Sequence, residues 1–268
     1  MLASGRSFRV IDNQGVPEPR TKKSDPPPRL SALLASEALT GVVFRRGPTK
    51  SVRLFLWNRK RDTFRQGSSF KGRIFVERSD LSPDGRYLIY FAMGGMAWAI
   101  PATGGTWTAI SRPPALTAIA LWGQGDTWGG GGVFTSDETY WLNADANTAL
   151  LRDTTELRRD TIRPKQTRKE RDGWIQGSST AQKRSFEKPL PHGWILRRLR
   201  RISRPDRHLL ENPEKGLLFE FPKWEWAEWD RYRLVWAEEG RLCAARIGRR
   251  ELGTVRTLFD FNAIDSKL

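Results

Sequence analysis

From residue 41 onward, short runs of branched and aromatic residues alternate with Gly, Pro, Asn or Asp. The runs cover 42–45, 52–57, 73–78, 87–92, 106–110, 116–122, 133–134 and 140–142. They resume at 174–176, 194–198, 217–221, 233–237, 242–247 and 255–259. Runs of this length and composition, closed by turn formers, predict strands. Regularly spaced short strands predict a sandwich, a barrel or a propeller. One stretch has helical spacing: in LSALLASEALT (30–40), Leu30, Leu33, Leu34 and Ala38 recur at three or four residues, and Gly41 follows as a stop signal. A short helix is expected there. Residues 1–29 are polar and end in Pro26, Pro27, Pro28 and Arg29, which predicts a disordered lead. The charged interval ELRRDTIRPKQTRKERDG (156–173), broken by Pro164, predicts an exposed loop with a helical turn at most.

The segment SDLSPDGRYLIYFA (79–92) combines a turn with a strand. Ser82-Pro83-Asp84-Gly85 suits a type I turn: Pro83 has its φ already set, and Gly85 closes the turn where φ is positive. The strand behind it is apolar at nearly every position, as expected of a strand covered on both faces. The phrase recurs as WDRYRLVWAEEG (229–240), with Leu88-Ile89-Tyr90 matching Leu234-Val235-Trp236. AIALWGQGDTW (118–128) and HGWILRRL (192–199) are weaker echoes. At ~40–45 residues per unit the chain from Gly41 to Asn262 has room for about five such units.

SDLSPDGRYLIYFA resembles the Ser-Pro-Asp-Gly strand phrase of WD-repeat and TolB-like β-propellers. EWDRYRLVWAEEGRLCAARIG (228–248) is similar to their last blade, including the pair Trp229-Asp230. The regular Gly-His to Trp-Asp spacing of true WD repeats is absent, and the chain has only 2 His. The resemblance is therefore to divergent, uncharacterised bacterial members. It implies an all-β fold, a small irregular propeller of four to five blades over residues 41–263, preceded by the lead (1–29) and the helix (30–40) and followed by a tail (264–268). It implies no activity.

Composition changes the picture in two ways. The 12 Trp promise a substantial core although 28% of residues are charged. The 1 Cys forbids an intrachain disulfide, and no apolar run approaches the ~18 residues of a membrane span. A soluble, cytoplasmic protein is expected. The formal net charge is +16 and is spread along the chain. Residues 41–65 hold eight basic side chains against Asp62, and 195–208 hold six against Asp206. One reading is a polyanion-binding surface, with Arg45, Arg46, Arg197, Arg198, Arg200 and Arg201 as its candidates. The other, favoured by the excess of Arg over Lys, is ordinary solvated faces in an Arg-rich chain.

Candidate chemistry is sparse. GDTWGGGGVF (125–134) lacks the Gly-Lys-Ser/Thr of a phosphate loop, and no helix is expected after it. Its glycines predict close approach of backbone to a neighbouring strand or a ligand. His192, His208 and Cys243 are scattered, so neither a metal site nor any other cofactor site is expected. Cys243 falls in a strand and is expected to be a small buried hydrophobe. The expected role is a non-catalytic binding or scaffold module presenting loops, with another protein as partner. The alternatives are a nucleic-acid-binding protein and a hydrolase whose carboxylates line a funnel. The candidate surface comprises Asp80, Arg112, Trp122 and Trp128. The competing expectation is that Asp80 pairs with Arg112 while both Trp side chains pack in the core.

Overall fold

Leu88, Ile89 and Tyr90 lie on the strand Leu88–Met93, and all three are buried. Successive side chains on a strand point to opposite faces. Leu88 and Tyr90 accordingly join an apolar cluster with Val42, Phe44 and Leu54, whereas Ile89 joins another with Trp122, Phe134 and Tyr140. The matching residues 234–236 divide in the same way: Leu234 and Trp236 pack with Trp194 and Leu196, and Val235 packs with Val43 and Phe55. Both strands are thus middle strands of sheets covered on two sides.

The computed structural model describes residues 26–47, 50–97, 99–145, 148–180, 183–201 and 204–264. Most of the expected lead and the end of the expected tail, residues 1–25 and 265–268, lie outside them. The described residues form five sheets. The first is the meander Arg29–Leu34, Thr40–Arg46, Ser51–Asn58 and Thr63–Lys71. The second contains Arg73–Ile74, Asp80–Leu81, Leu88–Met93, Thr106–Ser111 and Ala120–Gly123, with Leu150–Asp153 returning to its edge. The third joins Gly132–Phe134 to Thr139–Leu142, with Arg158–Arg159 added in parallel. The fourth runs Ile175–Ser179, Lys183–Pro189, Ile195–Arg201, Arg204–Asn212, Leu217–Phe221. The fifth runs Trp224–Asp230, Arg233–Glu238, Arg241–Ala245, Arg256–Asp260. The described α-helical pieces are Ala99–Thr103 and Arg168–Arg171. No described helix is long and apolar enough to cross a membrane.

The helix expected over residues 30–40 is not formed. Arg29–Leu34 is a strand in register with Thr40–Arg46, with Leu33 opposite Val42. Leu30 and Ala32 face the fifth sheet, and Leu33 faces the second. A strand buried on both faces shows apolar residues at any spacing, including three and four, so periodicity could not separate the two structures. The expected turn at 82–85 is present: Gly85 N donates to Ser82 O at 2.8 Å, and Gly85 has φ 76°.

Apolar clusters join the first sheet to the second, the second to the third, the fourth to the fifth and the fifth back to the first. No described apolar cluster joins the third to the fourth. The contact between first and last sheets also carries a buried ion pair. Arg59 donates to the Asp230 carboxylate at 2.8 Å and to the carbonyls of Ala35 and Ala38 at 2.7 and 3.1 Å. Arg233 bridges Asp230 to Asp62. Breaking such a pair leaves a buried charge unpaired, whatever the net worth of the intact pair. Asp230→Ala is therefore expected to lose about 3–5 kcal/mol of stability in urea denaturation. A loss under about 1 kcal/mol would show that apolar packing alone holds the two sheets together.

Candidate functional site

Where the third and fourth sheets lack an apolar seam, a cleft of about 800 Å³ opens instead. Its walls come from three places. Glu77 and Arg78 belong to the single turn Val76–Arg78 before the strand Asp80–Leu81. Arg163, Arg168 and Lys169 come from the charged interval ahead of the fourth sheet, and Lys183, Arg184, Arg200 and Arg201 from that sheet itself. Eight basic side chains thus line the cleft with one carboxylate, Glu77.

The walls are held by a buried carboxylate. Asp80, 1% exposed, accepts from Leu81 N at 2.9 Å, from Phe134 N at 2.7 Å, and from both terminal nitrogens of Arg171 at 2.9 and 2.7 Å. Arg171 also donates to Phe134 O at 3.0 Å. Its short helix is started by a capping box, Thr167 Oγ1 accepting from Glu170 N while the Glu170 carboxylate accepts from Thr167 N. The helix is thereby fixed with Arg168 and Lys169 on the cleft.

Glu77 is shared. Lys169 lies 2.9 Å from it, Arg198 2.9 Å and Arg200 3.8 Å. Burial alone would raise its pKa, but Arg198, Lys169 and Arg168 hold it well below the usual carboxylate range. Burial, reinforced by Arg198, presses the Lys169 ammonium down to about 8 against the pull of Glu77. The remaining cations fare differently. Among the described residues, Arg78, Arg163, Arg168, Lys183, Arg184 and Arg201 form no salt bridge. The cleft therefore carries uncompensated positive charge.

Behind it lies a second cavity of about 270 Å³, sharing Glu77, Arg168 and Lys169 with the first. His208 faces it, 1% exposed. Its Nδ1 donates to Trp224 O at 2.9 Å, leaving Nε2 bare with no partner among the described atoms. Burial, then Arg198, lowers its pKa to about 4, so the ring is neutral at pH 7. Burial pushes Asp172 up to about 6 despite Arg168 and Arg171. Glu228 is fully occupied by Trp174 Nε1, Trp229 N and Lys188. No described group of three His, Cys, Asp or Glu could hold a metal ion.

The residues expected at a site are dispersed. Asp80 pairs with Arg171, not with Arg112, which is exposed over the Tyr87 ring at 5.4 Å. Trp122 is 2% exposed and packs beside Tyr140, whereas Trp128 is 90% exposed. Of the basic candidates, Arg200 and Arg201 line the cleft and Arg198 lies just behind it. Arg197 is taken by Glu187 and Glu211. Arg45 is buried, donating to Phe261 O and Ile264 O at 3.0 and 2.9 Å. Arg46 is exposed on the first sheet, its pKa lowered by partial burial and by Arg73 and Arg29. The sequence reading missed Lys169, Arg171, Arg163 and Arg184. The signal available was the charged interval 156–173, whose capping pair Thr167 and Glu170 marks a fixed helix start.

No family model matches the chain, and no curated protein matches it. Among solved structures it is similar to an uncharacterised protein, lmo1340, of Listeria monocytogenes EGD-e. The identity is 10% and the TM-score 0.27, over 88% of this chain and 67% of that one. It is also similar to a chain from a structural and mechanistic analysis of two prolyl endopeptidases, at 7% identity and TM-score 0.24, over 85% of this chain and 35% of that one. This chain thus spans about a third of that endopeptidase chain. Scores this low carry no argument, and the all-β architecture rests on the sheets themselves.

Two outcomes follow from these placements. Trp122→Ala is expected to cost about 3–5 kcal/mol in thermal or urea unfolding, whereas Trp128→Ala should stay within about 0.5 kcal/mol of the parent. Equal losses would contradict the burial of one and the exposure of the other. The second concerns acid. The unfolded imidazole of His208 takes its proton near 6.5, the folded one only near 4. The unfolded state binds more protons between these values, so this residue makes stability fall as pH drops through that window, by about 3 kcal/mol in all. Asp172 acts oppositely, because its folded form binds the proton first, near 6 against 3.8. His208→Gln should therefore flatten the acid loss measured between pH 6.5 and 4. An unchanged profile would mean the imidazole is protonated inside the fold.

Proposed function

We propose that the protein is a non-catalytic binding module whose ligand is a polyanion seated in the cleft between the third and fourth sheets. In this reading the five sheets stand around an axis as blades of a small, irregular β-propeller. Two observations support that arrangement: successive residues of the middle strands divide between neighbouring sheets, and the first sheet packs on the last. The Ser-Pro-Asp-Gly phrase shared with WD-repeat and TolB-like propellers supports it too. The observation that carries the ligand class is the set of six cleft cations that form no salt bridge among the described residues. Like charges gathered in one concavity repel, and an anion relieves that repulsion while focusing its own approach. This favours a polyanion over the generic protein partner that composition alone suggests. A cytoplasmic setting fits the single, buried thiol of Cys243.

The test is binding of inorganic polyphosphate over a range of salt. The logarithm of affinity should fall linearly with the logarithm of salt concentration. Arg163→Gln, Arg184→Gln and Arg201→Gln should each lower the steepness of that fall by about one unit. Arg46→Gln, outside the cleft, should leave it unchanged. Absence of salt-dependent binding, or equal effects of all four changes, would refute the assignment.

A further inference from the structure

Trp128 is the most exposed large apolar side chain described, yet its backbone is tightly held. Its own N–H donates to Asp126 Oδ1 at 2.8 Å. The carbonyls on either side of it, Thr127 O and Gly129 O, both accept from Arg78 Nη1, at 2.7 and 2.6 Å. Beyond them, Gly130 N donates to Asn143 O at 2.6 Å and Gly131 N to Thr108 Oγ1 at 2.8 Å. The glycines allow this descent: a Cβ on Gly130 would meet the Phe91 ring at 2.3 Å, and one on Gly131 would meet Arg78 O at 2.1 Å, both at positive φ. The loop is fixed, and the indole is held out into water.

Its loop runs into the cleft wall at Gly130. Arg78, the clamp, lines the cleft, as do Gly130, Gly132 and Trp141. Arg163 lies over the Trp141 ring at 5.7 Å, and Lys169 over Phe186 at 4.1 Å. Each wall of the cleft thus carries an aromatic face beside a cation, Trp141 on the third sheet with the unpaired Arg163 and Phe186 on the fourth with Lys169, which Glu77 also holds. We infer that the cleft takes single-stranded nucleic acid, with phosphates on Arg163, Arg184 and Arg201 and a base stacked on Trp128. The assignment rests on the polyanion reading above and goes beyond it. An acidic peptide or a polyphosphate uses the cations but offers nothing to a rigid, solvent-facing indole. A duplex has its base faces already stacked on each other. A single strand supplies both a charged backbone and free π-faces, the two features that such sites read without needing a particular sequence.

The experiment compares a short oligothymidylate, the same length as a duplex, and inorganic polyphosphate, each titrated against the full chain, Trp128→Ala and Trp128→Tyr. The oligothymidylate is expected to bind more tightly than the duplex. Trp128→Ala should weaken it about 5- to 100-fold, the effect of losing one base–aromatic stack. Trp128→Tyr should restore most of that loss, and polyphosphate affinity should be the same for all three proteins. Polyphosphate binding without oligothymidylate binding overturns this inference and leaves the polyanion reading standing. So does a Trp128→Ala effect that is absent, or equal for both ligands. Failure of every anion to bind overturns both.

Discussion

One carboxylate holds together the parts that make the cleft. Asp80 can be buried because four hydrogen bonds satisfy it, and their donors come from its own strand, from the third sheet and from the short helix Arg168–Arg171. A buried carboxylate without such partners would be expelled or neutralised. The requirement runs in reverse as well. Satisfying Asp80 draws the charged interval before the fourth sheet onto the second and third, a place where no apolar cluster would bring it. Arg168 and Lys169 reach the cleft because Arg171, on the same short helix, is bound to Asp80. The seam is ionic where the other seams are apolar, and a cleft of about 800 Å³ opens along it.

The strands after residue 41 were readable because their residues are branched or aromatic and their joints carry turn formers. Among the strands that escaped notice, Thr63–Lys71 and Lys183–Pro189 are rich in Arg, Lys, Ser and Gln, and Arg204–Asn212 and Trp224–Asp230 are interrupted by charge. Sheet membership there comes from backbone pairing with a neighbour, which leaves little trace in side-chain pattern. The segment around Leu30 failed for the opposite reason: its apolar content was plain, but two covered faces erase the period that distinguishes strand from helix. At the candidate site, Asp80 was singled out for its position beside a turn and proved structural, its partner lying on an unrelated segment. Ion pairs across 91 residues have no sequence signature. Trp128 was legible through its glycines, because a run of them announces close backbone approach whichever way the indole turns.

The positive charge of the chain has two fates. On the fourth sheet Arg197 and Arg207 face Glu187, Glu211 and Glu220 on adjacent strands, and these cross-strand pairs add solubility with little stability. Arg59 and Arg233 are buried with Asp230 and Asp62. Other cations among the described residues form no salt bridge; some, such as Lys60, Arg61 and Arg249, stand apart on the surface, whereas Arg163, Lys183, Arg184 and Arg201 face one cleft from the linker and from two inner strands of the fourth sheet. Net charge alone therefore hides the one place where several of these cations share a concavity.

The packing of the first sheet on the last has a temporal side. Arg45 and the carbonyl of Phe261 are separated by 216 positions, and Arg59 and Asp230 by 171. Contacts so distant repay the entropy of loop closure only after nearly everything between them is in place. During synthesis the first sheet emerges early with one apolar flank, carrying Leu30, Val43 and Phe55, that nothing yet covers. It must wait for Val235 and Leu242 to leave the ribosome. The nascent protein thus passes through a long interval in which a sticky sheet is exposed to its neighbours, and the fold becomes self-protecting only at the final strand.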